Sequence, residues 1–204
     1  MIKSTNLHKY IFYTINILGG ISVLFSYAHG LITHVELRDY LWGGITEFIR
    51  PFYTINMFLA TAGYFFFTSY VINKMFRSKN HQFKKIHFVI INILYAGIII
   101  PSALWMPMTF QVLTYSSDLL WIGIRIILLI VGLSSSGLML FFFFSRIRTN
   151  DWHYFAGVMG LIPFWIQTMI LDALVWPSFF LFIEYQYTNA RIPKTINPET
   201  ISNI

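Results

Sequence analysis

From Leu119 to Phe144 the chain meets a single charged residue, Arg125, among side chains that are otherwise apolar or weakly polar. About 20 residues of α-helix cover the ~30 Å of hydrocarbon in a bilayer, so this run is long enough to span one. Four more runs do the same, near residues 10–33, 52–74, 86–109 and 154–177. Lipid offers the backbone no hydrogen-bond partners, and a helix satisfies its own. These runs therefore predict an all-α integral membrane bundle of five transmembrane helices. The chain is 56% hydrophobic and 11% charged, against about 25% charged in a soluble domain. Residues 1–184 read as one membrane domain and 185–204 as a polar C-terminal tail. The first run, behind Lys3 and Lys9, is longer than a signal-peptide core and has no clear cleavage site, so it reads as a retained helix.

The formal charge of +6 raises the question of nucleic acid. Its distribution argues for topology instead. Lys3, Lys9, Lys74, Arg77, Lys79, Lys84, Lys85, Arg146 and Arg148 fall on one side of the spans; Arg38, Arg50, Arg191 and Lys194 fall on the other. Basic residues concentrate on the cytoplasmic side. The N-terminus is expected in the cytoplasm and the C-terminus outside, in a multi-pass protein of the bacterial inner membrane. The absence of cysteine excludes disulfides, thiolate metal sites and cysteine nucleophiles. No nucleophile elbow, zinc-protease helix or phosphate loop is present. The segment "GLSSSG" at 132–137 reads as helix packing, and "FFFF" at 141–144 as lipid-facing. His87 and His153 share the cytoplasmic boundary while His29 stands alone outside, which argues against a b-type haem.

Strongly polar residues within lipid are costly and usually face the bundle interior. Here they recur at helical spacing. The first span carries Asn16, Gly19, Ser22, Ser26, His29 and Thr33; the second Tyr53, Asn56, Ala60 and Gly63; the third Asn92, Tyr95, Ser102 and Trp105; the fourth Asp118, Arg125, Gly132 and Ser136; the fifth Thr168, Asp172 and Trp176. Arg125 and Asp172 map to the same depth, about 8–9 Å below the outer boundary at about 1.5 Å per residue. Opposite charges at one depth are expected to pair. The candidate ligand-binding set is His29, Tyr53, Asn56, Ser102, Trp105, Arg125, Asp172 and Trp176, all in the outer half. Pro101 and Pro107 are expected to open the third helix beside Trp105. The first loop, 34–51, contains Trp42, Gly43-Gly44 and Pro51 and is long enough to cover the opening. Aromatic walls with a few polar groups are a common recipe for an apolar ligand site.

Leu94, Tyr95, Gly97, Trp105, Pro107 and Phe110 in the third span, and "LDALVW" at 171–176, carry a resemblance. The chain resembles the translocator proteins, or tryptophan-rich sensory proteins, which are small five-helix membrane proteins. In that family the third helix reads Leu-Tyr and later Asn-Trp-x-Trp-Pro-Pro; Ser102 and Ala103 stand here in place of the Asn and the first Trp. Asp172 replaces an Asn, and the family's Pro- and Trp-rich start of helix 2 is reduced to Arg50-Pro51. The resemblance implies binding of a tetrapyrrole- or sterol-like molecule, with Trp105, Pro107, Asp172 and Trp176 at matching positions. Apart from a tetrapyrrole as ligand, no cofactor is indicated. Three readings stay open. One is a membrane protein that binds a hydrophobic small molecule. Another is an accessory subunit of a larger membrane complex, or a homodimer. The last is an intramembrane enzyme or proton-coupled carrier using His29, Arg125 and Asp172.

Overall fold

The computed structural model describes residues 2–77, 83–115, 117–144 and 151–180. The tail at 185–204, Lys79, Arg146, Arg148, Arg191 and Lys194 lie outside the described residues. Five helices are long and apolar enough to cross a membrane: α1 (Asn6–Thr33), α2 (Arg50–Arg77), α3 (Lys85–Thr114), α4 (Asp118–Phe144) and α5 (Trp152–Phe180). No strand occurs among the described residues. Around the bundle, α2 packs on α5, α5 on α4, α4 on α3 and α3 on α1.

Lipid removes the hydrophobic drive between helices, so close packing and interhelical hydrogen bonds must hold the bundle. The α2–α5 contact shows how. Gly63 and Gly160 face each other, and a Cβ on Gly63 would run into the Gly160 carbonyl. At the middle of α4, the Ser135 hydroxyl accepts from Thr168 Oγ1 at 2.7 Å, and Ser136 Oγ accepts from Trp165 Nε1 at 2.8 Å. Gly132 backs onto Met169 and Thr168. The 132–137 segment is thus a packing seam, as its composition indicates.

The half of the bundle away from the first loop holds a ring-rich core around Phe12, Phe67, Tyr95, Phe142 and Phe164. Tyr64 donates to Asn16 Oδ1 at 2.5 Å and ties α2 to α1. Thr68 and Tyr95 share a buried hydrogen bond of 3.1 Å between α2 and α3. Asn92 Nδ2 reaches the His8 carbonyl at 3.1 Å. The four phenylalanines at 141–144 divide: Phe141 and Phe142 are buried, Phe143 and Phe144 exposed. Successive helical residues are about 100° apart, so four in a row cannot all face lipid.

Two departures from regular α-helix matter. The helix α3 runs unbroken from Lys85 to Thr114 through both prolines, so the expected opening at Pro101 and Pro107 is not a break. Pro101 is buried and Pro107 exposed. Membrane helices tolerate proline when neighbours and Ser/Thr side chains re-satisfy the backbone. The wide winding lies in other helices, at Ile15–Gly19 in α1, Ile72–Arg77 in α2 and, longest, Ile166–Val175 in α5, which is π-helical over 10 residues. Such segments are rare and concentrate at functional sites.

Candidate functional site

The first loop, 34–49, folds as two short 3₁₀ turns, Val35–Leu37 and Asp39–Trp42. It is fastened to the end of α5. Trp176 Nε1 donates to the Leu41 carbonyl at 2.8 Å, and the Gly44 N–H to the Phe179 carbonyl at 3.2 Å. Gly43 has φ of 60°, and a Cβ there would lie 3.2 Å from the Phe180 backbone. Glycine therefore meets two demands at once, a left-handed backbone and close approach. Ile45 is buried in the same cluster as Tyr53, Trp121, Trp176 and Phe180. The loop is packed structure over this end of the bundle, as its length and Gly-Gly pair led one to expect.

Beneath the loop, aromatic rings form a continuous wall. Trp42 meets Tyr53 edge-on at 6.5 Å, Tyr27 meets Trp105 at 5.7 Å, and Trp105 meets Trp176 edge-on at 5.7 Å. Edge-to-face pairs at these separations are favourable. The indole N–H groups are unequally served. Trp176 has Leu41, whereas Trp105 Nε1 and Trp121 Nε1 are buried with no acceptor. An unmet buried donor costs about 1–3 kcal/mol.

A polar chain crosses the same region. Asn56 Nδ2 donates to Gln167 Oε1 at 2.9 Å and to the Pro163 carbonyl at 3.1 Å. Gln167 Nε2 donates to Asp172 Oδ1 at 2.8 Å. Tyr53 donates its hydroxyl to the Leu171 carbonyl at 2.9 Å. The π-winding explains the Gln167–Asp172 bond. Five residues along an α-helix leave two side chains about 140° apart. The i→i+5 winding of a π-helix brings them much closer round the axis.

Asp172 and Tyr27 are each partly buried. Gln167 is the one hydrogen-bond partner of Asp172 among the described residues.

Of the residues selected from sequence, Tyr53, Asn56, Trp105, Asp172 and Trp176 meet here. Three do not join them. Arg125 is exposed on α4 and forms no ion pair with Asp172. It sits one residue past the buried Ile124, about 100° round the helix, beside exposed Ile122, Ile126 and Leu129. Equal depth does not fix direction, and the expected pairing fails for that reason. His29 is exposed, with its ring 5.8 Å from Phe25. Ser102 donates to the Ile98 carbonyl of its own helix at 2.6 Å, so its hydroxyl serves the backbone beside Pro101. Tyr27 and Gln167 belong to the site and were not selected. Tyr27 lies one position from Ser26 on a helix read by its small residues. Gln167 falls on the Asp172 face only because the winding is wide, and Pro163 and Pro177 flanking that stretch are the sequence signal that could have indicated it.

Comparison with protein families, with curated proteins and with solved structures returns no match for this chain.

Proposed function

We propose that the protein binds a hydrophobic, ring-bearing small molecule, of tetrapyrrole or sterol size, in the space beneath the first loop. The observation that carries this reading is Trp105. Its ring faces Tyr27 and Trp176, and its buried N–H has no acceptor. An oxygen on a bound molecule would satisfy that donor, and the rings supply apolar area with little conformational freedom to lose. The resemblance of the third and fifth spans to translocator proteins points the same way. The Lys/Arg asymmetry supports a cytoplasmic N-terminus, with this site in the outer half of the membrane.

Solvent extraction of the purified protein, followed by mass spectrometry, tests the reading. The expected result is a near-stoichiometric apolar molecule that is absent from the Trp105→Ala protein. Recovery of bulk phospholipid alone, equally from both proteins, would count against it.

One observation favours a second reading, docking to a larger membrane complex. Arg125 is exposed on the lipid-facing side of α4 and has no ion-pair partner among the described residues, and a charge within lipid normally marks a contact or a pathway. Migration of the protein from its own membranes as a discrete larger complex, lost on Arg125→Leu, would support that reading. A carrier mechanism that needs Arg125 beside Asp172 has no such support.

A further inference from the structure

We propose that the end of the bundle opposite the first loop holds an anionic phospholipid, whose phosphate head seats among Lys9, Lys74, Arg77, Lys84 and Lys85. This is independent of the ligand reading above. The five side chains come from three helices, and aromatic packing brings those helix ends together. Phe12 of α1 meets Phe76 of α2 at 4.9 Å, Phe76 meets Phe88 of α3 at 5.4 Å, and His8 of α1 stacks on Phe88 at 6.2 Å. Lys9 follows His8, Lys74 and Arg77 bracket Phe76, and Lys84 and Lys85 lie between Phe83 and Phe88. Arg77, Lys84 and Lys85 are exposed; Lys9 and Lys74 are half-buried.

The chain supplies this cluster with little counter-charge. Helices α1, α2 and α3 contain no Asp or Glu. None of the five basic residues forms an ion pair among the described residues, and Arg77 Nη1 donates to Asn73 Oδ1 at 3.4 Å. The described acid at this end, Asp151, caps α5 by accepting from the Tyr154 N–H at 2.8 Å. The start of α3 adds to the positive excess. A helix N-terminus is electropositive and favours acids. The helix α4 begins on Asp118 and α5 behind Asp151, whereas α3 begins behind Lys84 and on Lys85, with no acid in its first turn. The opposite end is built differently. Glu36, Asp39, Glu47 and Asp118 accompany Arg38 and Arg50 there, and the two arginines donate to the carbonyls of Leu31 and Ile45. Topology asks for basic loops; it does not ask for basic groups from α1, α2 and α3 gathered at one aromatic cluster. Basic residues at span ends attract anionic headgroups. Their long stems can lie along apolar surface while the charged heads reach a phosphate.

The full protein is tested in nanodiscs holding equal amounts of phosphatidylglycerol and phosphatidylcholine. Native mass spectrometry of the released protein counts the lipids that stay bound. Phosphatidylglycerol is expected to be retained about tenfold or more over phosphatidylcholine, the scale of a few basic contacts. Phosphatidylglycerol carrying a photoreactive group on its glycerol is expected to label peptides that contain Lys9, Lys74 or Lys85 and to spare those that contain Trp42. The combined change Lys74→Gln, Arg77→Gln, Lys84→Gln and Lys85→Gln should abolish the preference, and Lys74→Arg with Lys84→Arg and Lys85→Arg should keep it. If the neutral variant does not fold, the label map and the arginine variant decide. Equal retention of the two lipids would overturn the inference and leave the cluster to an acidic protein partner or to solvent. Labelling as strong at the Trp42 end, or a preference that survives neutralisation, would overturn it too. Loss of the label on adding sodium phosphate would assign the cluster to free phosphate and overturn the lipid assignment.

Discussion

At the scale of single residues, Asp172 and Arg125 carry the largest consequences. Each is a charge within a membrane-spanning helix, yet they solve the problem differently. Asp172 is partly buried and held by Gln167, whereas Arg125 is exposed on α4. A long basic side chain there can reach toward the interface. Arg125→Leu and Asp172→Asn should therefore be additive. Their effects on unfolding in bicelles should sum to within about 0.5 kcal/mol. A coupling of about 1 kcal/mol or more between them would restore the ion pair that depth alone suggests. The polar chain on Asp172 should show the opposite behaviour. Asn56→Leu removes a donor to Gln167 and to the Pro163 carbonyl. It should cost about 0.6–2 kcal/mol, the range for hydrogen bonds between membrane helices. It should couple to Gln167→Leu in a double-mutant cycle, and a coupling of zero would remove Gln167 from the chain.

At the scale of elements, legibility in the sequence follows regularity. The five spans are readable because length and apolarity suffice to fix them. Trp105, Asp172 and Trp176 are readable as interior because polar and amphipathic groups stand out in apolar runs. The α-helical period supplies direction only while the helix stays α, and this is where the reading failed. Gln167 and Asp172 come together through π-winding, and Arg125 lies about 100° round the helix from the buried Ile124. The prolines of α3 predict a break, yet that helix is continuous and the irregular winding lies in α1, α2 and, at greatest length, α5. Close helix contacts give a sharper element-level test. Gly63→Ala should destabilise by about 1–3 kcal/mol, because α2 and α5 must separate to admit the methyl group. Gly20→Ala meets nothing within 4 Å. It should be neutral or stabilise by up to about 1 kcal/mol, since alanine is the better helix former. Equal effects at the two glycines, read by unfolding in bicelles, would mean that the α2–α5 contact is looser than described.

At the scale of the whole molecule, the architecture divides by depth. One half is a packed aromatic core whose polar groups tie helices α1, α2 and α3 together, with Asn92 Oδ1 alone among them left without a partner. The half beneath the first loop has rings, a carboxylate and two indole N–H groups that the protein leaves unmet. That asymmetry gives the loop end its meaning only if it faces outward. Reporter fusions within residues 75–85 should read as cytoplasmic, and fusions beyond residue 185 as external. Both sites reporting one side would contradict a five-span topology. The central claim, that the loop end holds a ligand, is tested most directly by titrating the protein in nanodiscs with porphyrins, sterols and organic amines while following tryptophan fluorescence. At least one of these should give a saturable response in the wild type. Trp105→Ala should remove most of that response and weaken binding by roughly 1–3 kcal/mol, the scale of one large buried side chain, while the fold persists. A wild-type protein that shows no saturable response, together with a Trp105→Ala protein that loses stability, would contradict the claim and make the Trp105 ring a packing element.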